Sequence, residues 1–297
     1  MENLNHNLSI FQTYKNSISN YLNRVTVKSK ERKKLKKENT ESSKNYFFYF
    51  ELWGKIIHVK NINNGFSYTL ELYISNDGRV DTEIFRNSIF VCGGCYSEKF
   101  LNTCIILNLE TKTLDKSKNL TEKKRGVSLI STRTLLYCIG GFDGAYLNTC
   151  EYYSCNESKW LKNTPLNNSS CLATVCFDEY KYIYIFGSST HSEIERLNCS
   201  SLNYKWENLK IHTLYVKKYS GFYFMLNNFE CLIFGGYSPH QKNYYLINHY
   251  FMQMKNLNKS FLYENFMSCS ASRALYWNKN ILIISLEHKV MIQIDLI

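Results

Sequence analysis

The sequence predicts an all-β repeat fold, and three observations carry that expectation. Gly93-Gly94, Gly140-Gly141, Gly187-Ser188 and Gly235-Gly236 recur at intervals of 47, 47 and 48 residues, each directly after an apolar run: SIFVC, LYCI, YIYIF and CLIF. Residues 100–104 (FLNTC) and 146–150 (YLNTC) are nearly one word, 46 residues apart. Aromatics make up 15 % of the chain, with 24 Tyr and 18 Phe against two Pro, a usage that suits pleated, half-buried strands. A fixed period of this length, with about four short strands per unit, is the signature of propeller blades, each of which buries its faces by stacking on its neighbours.

The elements follow in chain order. Residues 1–27 place Leu4, Leu8, Phe11, Ile18, Leu22 and Val25 at four-three spacing, interrupted by Lys15. Residues 4–25 can therefore be a short amphipathic helix that associates with a partner helix as a coiled coil. Residues 28–37, KSKERKKLKK, hold seven basic side chains and one Glu, so +6 of the net +11 charge is local. This run reads as a solvated, self-repelling linker, with a nuclear-localisation or nucleic-acid patch as the alternative. No aromatics are interleaved for base stacking, so a nucleic-acid partner is not expected. Residues 1–44 thus form a basic arm, and residues 45–297 form the repeat domain.

Between residues 44 and 74 come three strand-like runs, YFFYFEL, KIIHVKNI and SYTLELYI, separated by Gly54 and by Asn63-Asn64-Gly65. They lack the double glycine and read as a degenerate first blade. Residues 80–85 open the next one. In the best-preserved repeat, strands are expected at 127–130, 135–139, 149–154 and 159–162; in the following one, at 172–177, 182–186, 193–199 and 206–209. Trp160 and Trp206 fall 20 and 19 residues after the first glycine, where a large apolar side chain on an outer strand can seal one blade against another. Residues 221–254 keep Gly235-Gly236. The last repeat, at 269–277, 281–286 and 290–296, is one strand short of a four-stranded blade. Residues 46–52 are expected to help close that edge.

On these residues the chain resembles the kelch-repeat family. The resemblance rests on the apolar strand with its double glycine at Gly93, Gly140 and Gly235, the Asp143-Gly144 turn, Tyr152 in the third strand, Trp160 and Trp206, and Arg125-Gly126 ahead of the inner strand. It covers about residues 80–297 and is strongest over one repeat. The chain departs from the pattern at Gly187-Ser188, near Ile284 where no glycine remains, and in the last two repeats, which lack the outer-strand Trp. The resemblance implies a β-propeller of about six four-stranded kelch-type blades, the first and last degenerate, used mainly as a protein-binding platform.

Signatures of other chemistry are weak. The 11 cysteines include Cys92, Cys138 and Cys231 inside strands, where they serve as small hydrophobes, a usage that fits free thiols in a reducing compartment. The start of the chain lacks a basic region followed by an apolar one, and the apolar runs are about six residues long, so neither a signal peptide nor a membrane span is expected. A cytoplasmic protein is expected, with nuclear import through residues 28–37 as the variant. Cys92-Gly-Gly-Cys95 has the spacing of a redox pair or half a zinc site. No second such pair follows, the seven histidines form no close pair, and core packing accounts for it. The sequence holds no phosphate-binding Gly-x-x-x-x-Gly-Lys-Ser/Thr loop, no Gly-x-Ser-x-Gly elbow and no His-Glu-x-x-His. Neither cofactor nor metal is expected.

The loops, by contrast, carry the residue types of a binding face. In a propeller, the loops between second and third strands and the loops between blades gather at one end of the channel. The first set offers Tyr96, Phe142, Tyr146, His191 and Tyr237; the second offers Arg125, Lys217 and Lys218. Aromatics and Arg in loops on a rigid scaffold are the usual binding anchors. Lys123, Lys124, Arg125, Lys217 and Lys218 favour an acidic or phosphorylated protein. The expectation is a non-enzymatic scaffold or adaptor. The alternative is a propeller-type enzyme holding a metal or sugar at the channel mouth.

Overall fold

A computed structural model describes residues 46–51, 56–61, 67–71, 80–116, 119–178, 180–188, 190–191, 193–200, 205–209, 219–225, 230–237, 243–248, 253–260, 274–277, 280–285 and 290–295, with side chains within 80–209 and at residues 59 and 69–71. The basic arm, with its coiled-coil and linker expectations, lies outside these residues.

Strands β1 (Tyr46–Glu51), β2 (Ile56–Asn61) and β3 (Ser67–Glu71) form an antiparallel sheet in chain order. Next come β4 (Asp81–Phe85), β5 (Ser88–Cys92), the small hairpin β6 (Cys95–Tyr96) and β7 (Lys99–Phe100), β8 (Cys104–Asn108) and β9 (Leu114–Lys116); β4, β5, β8 and β9 make one four-stranded sheet. Two further four-stranded sheets follow: β10 (Ser128–Ser131), β11 (Leu136–Ile139), β12 (Cys150–Ser154) and β13 (Lys159–Asn163), then β14 (Thr174–Phe177), β15 (Tyr182–Phe186), β16 (Ile194–Asn198) and β17 (Trp206–Leu209). Strands β18 (Tyr219–Met225), β19 (Glu230–Tyr237), β20 (Asn243–Asn248) and β21 (Gln253–Ser260) form another, and β22 (Ala274–Trp277), β23 (Asn280–Ser285) and β24 (Val290–Asp295) form a last sheet of three. In the two sheets within 128–209 the strands lie within two residues of their expected positions. No helix occurs among the described residues, so none there is long and apolar enough to cross a membrane.

The first strands of successive sheets lie side by side, β4 against β10, β10 against β14, β14 against β18 and β18 against β22. Polar side chains stitch this row. The Asp81 carboxylate accepts from the Leu129 amide, Ser131 Oγ donates to Glu83 at 2.7 Å, and Ser128 Oγ donates to the Ala173 carbonyl at 2.9 Å. No strand of the first sheet pairs with one of the last among the described residues. The closure of the final sheet expected of residues 46–52 is thus not made among the described residues. Tyr46–Glu51 pairs along its whole length with Ile56–Asn61 and forms the edge of its own sheet.

Sheets pack face on face, which explains why the second strands read as unbroken apolar runs. Leu136, Tyr137, Cys138 and Ile139 are all buried, since both faces of β11 are covered. One cluster joins Phe90, Cys92, Cys104 and Leu120 to Leu129, Cys138, Tyr153 and Trp160; the next joins Tyr137, Ile139 and Cys150 to Val175, Ile185, Leu197 and Trp206. Each Trp thus seals its sheet against the preceding one, as the repeat pattern led us to expect. The Trp160 ring meets Tyr153 edge-on at 5.5 Å, and the Trp206 indole donates to the Thr164 carbonyl at 3.2 Å.

Candidate partner-binding face

The connections from β5 to β8, from β11 to β12 and between successive sheets meet at one end of the sheets. The double glycine makes this meeting possible. Gly140 has φ +62°, and a Cβ there would lie 2.1 Å from the Ser170 carbonyl oxygen; at Gly93 the same atom would lie 2.7 Å from the Lys124 carbonyl. The following amides use that closeness: Gly141 N–H donates to Ser170 at 2.7 Å, and Gly94 N–H donates to Lys124 at 3.0 Å. Left-handed backbone and the absence of a Cβ are both required.

The repeated Leu-Asn-Thr-Cys word supplies the second tie. The backbone oxygens of Asn102 and Asn148 accept from Leu120 and Leu166 at 2.8 Å, while their side-chain amides donate back to the carbonyls of the same two residues at 3.2 and 3.3 Å. Leu101 and Leu147 carbonyls accept from Lys124 and Ser170 at 2.9 Å. The loop between sheets is thereby fixed to the loop within each sheet.

A buried acid completes the anchorage. Glu151 Oε2 accepts from the Thr121 amide at 2.7 Å, and Oε1 faces Lys124 Nζ at 2.6 Å, with both side chains fully enclosed. Lys124 also donates to Thr149 at 3.2 Å. Burial pulls the Lys124 pKa down, but the neighbouring Cys138 and Glu151 outweigh it and hold the ammonium above its usual value. In the next sheet Glu195 takes the corresponding place, accepting from Asn167 and Asn168 amides at 2.9 and 3.0 Å. Lys124 was expected to draw an acidic partner; enclosed and paired with Glu151, it instead holds the loop.

On this base the aromatic residues assemble. Arg125 and Phe142 exchange backbone hydrogen bonds of 2.9 and 2.8 Å, and Phe142 bridges on to Tyr146. The Arg125 guanidinium lies 5.4 Å from the Phe100 ring centre and 5.2 Å from that of Phe142. Phe100 and Phe142 meet edge-on at 5.7 Å, and Phe142 and Tyr146 at 5.3 Å. Cation–π pairs of this type contribute about 0.5–1 kcal/mol each when exposed. Tyr146 remains 49 % exposed and Tyr96 52 %, two of the few large apolar side chains left open to solvent among the described residues.

Tyr96 sits on the β6–β7 hairpin, opposite Lys99. The two turn residues, Ser97 and Glu98, both have positive φ, 46° and 65°. That is the geometry of a tight type I′ turn, here made without Gly or Asn. The structure thus brings together Arg125, Phe142 and Tyr146 and adds Phe100, which sequence reasoning did not single out. Phe100 occupies the place of Tyr146 in the repeated word, and that equivalence was the available signal.

The other expected residues are placed differently. His191 lies in the shorter loop after Gly187-Ser188, where its carbonyl accepts from the Ser188 amide at 2.9 Å and both ring nitrogens are enclosed without a hydrogen-bond partner. Tyr237, expected in a loop, is the last residue of β19 and pairs with Tyr219. Lys217 and Lys218 lie outside the described residues. Among those described, no group of three or more His, Cys, Asp or Glu could hold a metal ion.

These features define a class: a repeat protein of stacked antiparallel sheets whose inter-sheet loops are tied together at one end. Residues 124–166 match the family model of the Kelch motif, and the chain carries a kelch repeat there. That segment runs from the buried Lys124 through β10 to β13. The resemblance read from Gly140-Gly141, Tyr152 and Trp160 is thereby confirmed. No curated protein matches the chain.

Proposed function

We propose that this chain is a non-enzymatic interaction module, a kelch propeller of about six blades that binds a partner protein through the end bearing Tyr96, Phe100, Arg125, Phe142 and Tyr146. The supporting observation is the Arg125 guanidinium lying against both the Phe100 and Phe142 rings, with Tyr146 edge-on to Phe142 and half exposed. Rigid aromatics and an Arg already in place lose little freedom on binding, and such groups dominate interface energetics. Lys99, Lys123 and Arg125 favour carboxylates or phosphates on the partner, tempered by Glu98 and Asp143 on the same loops. The basic arm of residues 1–44 acts in this reading as a linker.

The test is affinity capture from cell lysate with the full chain, wild type beside Tyr96→Ala/Tyr146→Ala and Arg125→Ala. A discrete protein held by the wild type and lost from both variants is expected. Equal capture by all three, or no protein held by the wild type, would contradict the assignment.

A further inference from the structure

The loop that carries Tyr96 and Phe100 has two cysteines at its stem. Cys92 ends β5, Cys104 begins β8, and the two are direct partners across the sheet. The Gly93 amide donates to the Thr103 carbonyl at 2.9 Å, so the next pair outward is a hydrogen-bonded one and Cys92–Cys104 is a non-hydrogen-bonded one. In such pairs the Cα atoms lie about 4.5 Å apart and the side chains come closest. That separation falls within the roughly 4.4–6.8 Å that a disulfide accepts. The two Sγ atoms lie 3.0 Å apart, and both residues are fully buried free thiols. In the following sheet the equivalent positions hold Ile139 and Cys150, so packing by itself does not call for two sulfurs here. The spacing Cys92-x-x-Cys95 drew attention in the sequence, but the sulfur brought against Cys92 is twelve residues on.

We propose that Cys92 and Cys104 are a disulfide-forming pair, closed by a peroxide, that staples the stem of the Tyr96–Phe100 loop. One sulfur, as thiolate, attacks a peroxide oxygen; the O–O bond breaks and leaves a sulfenic acid and water. The second sulfur then displaces hydroxide from the sulfenic sulfur, forming the S–S bond and a second water. Each sulfur is oxidised by one electron, the two peroxide oxygens are reduced, and both thiol protons leave in water. Burial pushes the Cys92 thiol well up, aided by its neighbour Cys104, so its thiolate is scarce while the stem is closed. Oxidation therefore proceeds through transient opening, and the same burial shelters the finished bridge. This assignment stands apart from partner binding, which could fail without touching it.

The experiment uses the full chain treated with hydrogen peroxide at neutral pH, then denatured in an alkylating agent without reductant and digested for mass spectrometry. A peptide pair joined through Cys92 and Cys104 is expected in most molecules, with Cys138, Cys150 and Cys176 recovered as alkylated thiols. Cys104→Ser should abolish the joined species; should that variant fail to fold, the wild-type map decides alone. Recovery of Cys92 and Cys104 as alkylated thiols, or Cys92 joined in comparable yield to another cysteine, would overturn the proposal.

Discussion

The two ends of the sheet formed by β10 to β13 are built on different terms. At one end, residues 132–135 close on themselves: the Thr132 amide donates to the Leu135 carbonyl at 2.8 Å, and Thr132 Oγ1 accepts from the Leu135 amide at 3.1 Å. The turn at residues 155–158 is as short, and Arg133, Thr134, Asn156, Glu157 and Ser158 are exposed. At the other end, the connection bonds to Arg125 and Ser170 of the loops on either side and is anchored through Glu151 and Lys124. Arg125, Phe142 and Tyr146 sit where the sheets are tied together. Side chains at that end stand on backbone already fixed by these bonds, whereas the short turns carry polar and charged groups on a hairpin tip.

The largest expected effect separates the ends by charge. Glu151→Gln leaves the Lys124 ammonium buried without its counter-ion, which should cost roughly 3–5 kcal/mol in urea unfolding. Glu157→Gln at the opposite end touches only an exposed pairing with Lys159 and should stay within about 0.5 kcal/mol. Similar losses at both positions would break the contrast. A Lys124→Met/Glu151→Leu double variant should recover most of the first loss, since removing a buried pair together is far milder than stranding one partner.

Gly140→Ala comes next, at about 3 kcal/mol, because its methyl would drive into the Ser170 carbonyl in a left-handed backbone. Gly144→Ala shares the positive φ, +117°, but meets nothing within 4 Å, and should cost about 1 kcal/mol. Equal unfolding midpoints for the two variants would show that close approach between loops is not what the double glycine serves.

Alkaline pH should act more gently. Burial raises the Cys150 thiol from its usual 9.0 to about 12 and Cys199 to about 11, and raises Cys138 as well. The folded chain therefore keeps protons that the unfolded chain gives up above about pH 9. Stability is full below that point and falls as pH rises through 11 and 12. Lys124, also raised, works in the same direction. Thermal midpoints in reductant should be level from pH 7 to 8.5 and decline by pH 10; a level profile to pH 10 would contradict this.

The smallest effect is a gain. Ser97→Asn/Glu98→Gly supplies residues that accept positive φ at both turn positions of the β6–β7 hairpin, and should add about 1 kcal/mol. No gain would mean that the hairpin is not strained as its angles indicate.

The strands and sheet order were legible because apolar runs ending in Gly-Gly or Gly-Ser repeat at nearly constant spacing, and β5, β11 and β15 are buried over nearly their whole length. The Leu-Asn-Thr-Cys word was visible as a repeat, though its reason, an Asn bonded twice to the loop of the next sheet, requires three dimensions. Lys124 was misread because, between Lys123 and Arg125, it looks like part of a solvated basic run. The signal lay elsewhere, in Glu151 and Glu195, two acids at matching places directly after the first, buried residue of their strands. The β6–β7 hairpin escaped notice because Ser97-Glu98 carries no turn signature. Arg125, Phe142 and Tyr146 were recognised as loop residues, but only the backbone exchange between Arg125 and Phe142 shows that they meet.

The most direct measurement places a photo-reactive phenylalanine analogue at position 146 or at position 133 of the full chain and irradiates each in lysate. A discrete protein crosslinked from position 146 and not from 133 is predicted. Crosslinking from 133 alone, or equally from both, would contradict a binding face at the tied end.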